Sequence, residues 1–218
     1  MTALTDFYAT VRAWVDDVNP SDALIESWIR LAEERINNEL RSLEQVVRDY
    51  ATFDDNCAVY PPDWLENVYV KMQGGRTFLY ITPHAYWDMA AEPQTVLQVV
   101  DPTAPKPYPG AGGQMVYTTI GNTLFILPNI NPELLTKIEI AYFRKIVPLG
   151  DTLDPVFARY PSILLNCTLA AAAPYLIEDE RLQTFATLAT AGIAKANDAS
   201  QNARWSGSPL TPVVRGFG

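Results

Sequence analysis

The chain has 218 residues, 48% hydrophobic, 19% charged and 11% aromatic, which is enough apolar material to bury a core. A net charge of −9 and a pI near 4.6 exclude the basic footprint with which duplex-DNA binders neutralise phosphates. Seventeen prolines and eleven glycines are too many for a purely helical chain and point to mixed α/β content.

The first element predicted is a helix. Leu4, Phe7, Tyr8, Val11, Trp14, Val15 and Val18 recur at spacings of three and four, and Asn19-Pro20 stops the pattern. The start MTALTDFYATVRAW has neither a basic n-region nor an apolar h-region, so it does not read as a signal peptide. Ser21 or Asp22 then caps a second helix with Leu24, Ile25, Trp28, Leu31, Ala32, Ile36 and Leu40 as its stripe, expected to run to about Leu43.

From Gln45 to Val147 the pattern changes to short β-type runs. Tyr50–Phe53 and Cys57–Tyr60 flank Asp54-Asp55-Asn56 as one expected hairpin. Val68–Met72 and Thr77–Ile81 flank Gln73–Arg76 as a second, and Met115–Ile120 and Thr123–Leu127 flank Gly121-Asn122 as a third. Pro61–Trp64 reads as a turn, and Pro83–Met89 as a short helix with proline at its first position. Lys137–Lys145 reads as a half-buried strand. The stretch Asp101–Gly113, with four prolines and three glycines, reads as an extended loop.

Helix returns at Pro155 and Pro161, and Pro174 is expected to kink or end it. Glu178–Asn197 reads as the last helix, with acids at its start. The tail Arg204–Gly218 is broken by glycine and proline, yet carries Trp205, Leu210, Val213, Val214 and Phe217. Solvated tails are poor in such residues, so the tail either packs on its own domain or docks on a partner. The expected fold is therefore α+β. An antiparallel bundle of about four helices (1–44 and 150–203) carries a β-rich hairpin insertion (45–149) and an extended C-terminal arm (204–218).

A search for chemistry yields little. The lone histidine, His84, has no activating serine or cysteine motif near it. Cys57 and Cys167 lack metal or CxxC spacing and read as free thiols. There is no phosphate loop or dinucleotide fingerprint. The aromatics lack the interleaved Lys and Arg of a single-strand platform. Asp63 and Glu66 beside Trp64 suggest a glycosidase pair, although a turn cap with surface charge explains them more simply. No run approaches the ~18 apolar residues of a membrane span. An enzyme, a metal, a cofactor and a membrane are not expected.

The order of elements, with LIESWIRLAEERINNELR (24–41), YPPDWLENVYV (60–70), IGNTLFILP and IEIAYFRKIVPL (120–128 and 138–149), RYPSILLNCTLAAAAPYLIEDERL (159–182) and ARWSGSPL (203–210), resembles the head-to-tail adaptors of tailed bacteriophages, including the tail tubular protein A type. The resemblance implies a structural protein of the virion neck, made in the host cytoplasm. Such adaptors assemble as a homo-oligomeric ring, usually of twelve copies, beneath the portal protein. The ring extends the channel, lets DNA pass without sequence-specific binding and offers a platform to tail or nozzle proteins. By position, Trp205, Leu210, Val213, Val214 and Phe217 would be the portal-binding arm. Pro102, Pro105, Pro107, Tyr108 and Pro109 fall in a loop that the family pattern does not match, and would face the tail. Another neck protein, a stopper or a tail terminator, is the second reading.

Overall fold

The structure, a computed structural model, describes residues 3–15, 19–54, 56–72, 77–91, 115–127, 138–150, 152–175 and 180–205. The chain is α+β and divides into two compact units: Met1–Gln45 with Ile146–Gly218, and Val46–Lys145.

In the first unit, α1 (Ala3–Val15) buries Val11 and Val15, and α2 (Asp22–Glu39) buries Ile25, Trp28, Ile29, Ala32 and Ile36. Ser21 caps α2, its hydroxyl accepting the Leu24 N–H at 3.3 Å. An Arg12–Asp22 ion pair ties the two helices at the surface. Asp154 caps α4 (Pro155–Arg159), accepting the Val156 N–H at 2.8 Å. Prolines stand at the first positions of α4 and of α5 (Pro161–Ala172), where no N–H is needed. α5 packs against both α2 and α6 (Glu180–Trp205) and buries Ile163, Leu164, Cys167, Thr168, Leu169 and Ala172. Burial pushes the Cys167 thiol up to about 11, so it behaves as a small apolar side chain. Pro174 lies in a 3-10 turn, Ala173–Tyr175, that follows α5.

Both long helices end elsewhere than the periodicity predicts. α2 stops at Glu39, not near Leu43, and α6 runs eight residues past Asn197 to Trp205. One contact accounts for both. The Asn197 side chain accepts the Arg41 N–H at 2.8 Å and donates to the Glu39 carbonyl at 3.0 Å, while the Ser200 hydroxyl accepts the Leu43 N–H at 3.1 Å. The backbone groups that α2 would have satisfied by continuing are satisfied by α6 instead. The polar side chains of Asn197 and Ser200 in α6 are spent on that contact.

The second unit holds two sheets. One has the order β1 (Val46–Tyr50), β7 (Ile138–Arg144), β3 (Trp64–Met72), all antiparallel. The other has the order β2 (Cys57–Val59), β6 (Thr123–Leu127), β5 (Val116–Ile120), β4 (Leu79–Tyr80), with β4 parallel to β5. Val70, Ile138, Ile140 and Tyr142 from the first sheet share a core with Ala58, Tyr117, Leu124 and Ile126 from the second. α3 (Pro83–Ala91) covers the other face of the second sheet, packing Tyr86 on Val116 and Leu127.

Two expected hairpins are corrected. Asp54 and Cys57 do close a tight turn through reciprocal bonds of 2.8 and 3.0 Å, with Asn56 at φ 64. The pairing goes no further, because β1 joins β7 and β2 joins β6. The turn moves the chain from one sheet to the other, so both flanks face the shared core. Across Gln73–Arg76, among the described residues, the Lys71–Thr77 bridge and one bond, Phe78 N–H to the Val70 carbonyl at 2.8 Å, survive before β4 turns to β5. At Gly121-Asn122, β5 and β6 pair from Ile120 and Thr123 outward, with Gly121 at φ 60. β7 is more than half-buried, since Ala141 and Phe143 on its second face are also buried.

Candidate functional site

Of the proposed arm, Trp205 is the last residue of α6, so neither Arg204 nor Trp205 belongs to a non-helical tail. Leu210, Val213, Val214 and Phe217 lie outside the described residues, as do Pro102, Pro105, Pro107, Tyr108 and Pro109.

The catalytic alternatives find no support in the geometry. Asp63 accepts the Tyr142 hydroxyl at 3.3 Å, and its carbonyl accepts the Lys145 N–H at 2.6 Å, which is how a turn is secured. His84 pairs with Asp88 at 2.9 Å on the exposed side of α3. Among the described residues no group of His, Cys, Asp or Glu could hold a metal ion, and no helix is long and apolar enough to cross a membrane.

What the β-rich unit does present is an aromatic cleft. β3 carries two irregularities against β7, between Trp64 and Glu66 and between Asn67 and Tyr69. A bulge re-aims the side chains that follow it. Here Trp64 stacks flat on Tyr60, with centroids 4.3 Å apart, and its indole N–H donates to the Asn67 side-chain Oδ1 at 3.1 Å. The Asn67 amide in turn donates to the Tyr60 hydroxyl and, at 3.4 Å, to the Thr119 hydroxyl. This network holds Trp64 rigid at one wall. Tyr80, edge-on to Tyr117 at 5.5 Å, forms the other. The cleft, of about 320 Å³, is lined by Trp64, Glu66, Asn67, Tyr80, Tyr117 and Thr119. Burial, reinforced by neighbouring Tyr60, Tyr80 and Glu66, pushes Tyr117 up to about 12, so its hydroxyl stays protonated. Tyr80 is 52% exposed. No periodic signal could have found the cleft, because its walls come from strands far apart in the chain and β3 breaks the period of two.

Several large apolar side chains stand at the surface. Val59 is 74% and Trp87 56% exposed in the β-rich unit, and Trp14, Leu31 and Leu188 are about half exposed in the helical unit. Single exposed apolar residues are ordinary on a folded surface.

Compared with known families, residues 2–214 match the model of the SU10 adaptor protein. No curated protein matches the chain. The family is one of structural phage adaptors and not an enzyme class. The tail tubular protein A type named from the sequence is a narrower kinship that this match does not address.

Proposed function

The chain belongs to the SU10 adaptor protein family, and on that premise we propose that it is a head-to-tail adaptor. Copies form a ring, of twelve by resemblance, beneath the portal protein of a tailed phage, prolong the DNA channel and receive the tail proteins below. The match over residues 2–214 is the observation that carries this reading. The apolar composition of residues 206–218 supports a docking arm, since Leu210, Val213, Val214 and Phe217 within thirteen residues suit burial better than solvent. A weak contact repeated around a ring anchors the whole assembly. The charge of −9 per chain suits a channel that DNA slides through without sticking.

Deleting 206–218 tests the reading, because the cut falls after α6 and leaves the helix whole. The truncated chain should keep the wild-type circular dichroism and melting curve but fail to cosediment with portal rings. If it cosediments like wild type, the arm is not the anchor.

A further inference from the structure

We propose that the cleft between Trp64 and Tyr80 receives the proline-rich stretch Pro102–Pro109 of a neighbouring copy, an inference that rests on the ring reading above.

The argument begins with the walls. Trp64, Tyr80 and Tyr117 supply flat apolar surfaces, and the Tyr60 stack and the Asn67 bond hold Trp64 in place before anything binds. Aromatic-lined grooves of this kind suit proline-rich segments, whose rings form regular apolar ridges. A polyproline II segment has no internal hydrogen bonds, so its carbonyls all need donors. Among the described residues no group hydrogen-bonds the hydroxyl of Tyr80 or Tyr117, and both line the cleft. Proline fixes its own φ, so a proline-rich sequence loses less backbone entropy on binding.

Charge then selects the occupant. Glu66 is exposed on the cleft wall. The chain's own sequence holds the complementary feature: Pro105-Lys106-Pro107-Tyr108-Pro109 places one cation among prolines. In a ring, each copy would offer its segment to one neighbour and its cleft to the other. That head-to-tail contact closes when the rotation does.

The test mixes two full-length variants. One keeps its cleft but has Pro102, Pro105, Lys106, Pro107 and Pro109 changed to Ser. The other keeps the segment and carries Tyr80→Ala, at a half-exposed position, its fold checked by circular dichroism. Sedimentation at protein concentrations well above those at which the wild-type chain is monomeric should show heterodimers in the mixture and monomers of either variant alone. A fluorescent peptide of residues 101–110 should bind the first variant saturably. Glu66→Lys in that variant should weaken binding at least fivefold, and a peptide with Lys106→Glu should recover it. No heterodimer, or peptide binding indifferent to Glu66→Lys and Tyr80→Ala, overturns the proposal. Peptide binding without heterodimers would mean that each copy fills its own cleft, and also overturns it. Portal cosedimentation of the wild-type chain reports on the adaptor reading separately, so either can fail alone.

Discussion

The Asn197 side chain acts outside its own element. It donates to the Glu39 carbonyl and accepts the Arg41 N–H, closing the end of α2 from α6. Asn197→Ala removes the partner of two part-exposed backbone groups and should cost about 0.5–1.5 kcal/mol. For a chain of this size that is a fall in melting temperature of roughly 2–4 °C per kcal/mol. An unchanged melting curve would show that water replaces the amide without loss. Glu33 poses a different question. It accepts the Leu149 N–H at 2.6 Å, but burial raises its pKa above the ordinary 4.5, outweighing that bond and the nearby Arg30. A carboxyl raised in the folded state binds its proton more tightly there than in the unfolded chain. Its contribution to stability is therefore complete below pH 4.5 and is lost as pH rises through the raised value. Glu33→Gln keeps an acceptor for Leu149 and buries no charge. The variant should melt above wild type at pH 7, with the gap closing toward pH 4. Thermal melts across that range check it, and a wild type that stays ahead at pH 7 refutes the burial account.

Among the elements, β7 decides the architecture of the β-rich unit. It lies between β1 and β3, and Ile138, Ile140 and Tyr142 enter the core shared by the two sheets. Ile140 is 3% exposed, so Ile140→Ala should cost about 2–5 kcal/mol, read by urea denaturation. The β5–β6 turn is a second sensitive point. Gly121 adopts φ 60 at the first turn position, where Gly is the natural residue of a type II′ hairpin. Nothing crowds a Cβ there, so Gly121→Ala isolates backbone strain and should cost about 1 kcal/mol or more. The same melts on this variant separate strain from packing, because no contact is lost.

For the whole molecule, the two compact units are joined where the chain passes from Gln45 to Val46 and again from Lys145 to Ile146. Both passages are secured on their helical side. The first follows the Asn197 and Ser200 contacts. At the second, the Asn37 side chain accepts the Ile146 N–H at 2.9 Å and Asp154 the Val147 N–H at 2.8 Å. A ring templated by the portal would leave the isolated chain monomeric at low concentration. Light scattering on the purified protein should give a mass close to 24.3 kDa, and a stable ring without portal would refute templating.

Sequence alone determined what depends on neighbours within a turn or two. The apolar stripe of α2, the Ser21 cap, the prolines opening α4 and α5, and the sharp turns at Asn56 and Gly121 are all local physics, legible at spacings of two to four residues. Tertiary structure decided which strands pair, where α2 and α6 stop, and that Trp64, Tyr80 and Tyr117 share a cleft. A turn reverses the chain but does not choose its ladder. That choice is made by burial shared between segments tens of residues apart, and a bulged strand carries no period from which it could be read.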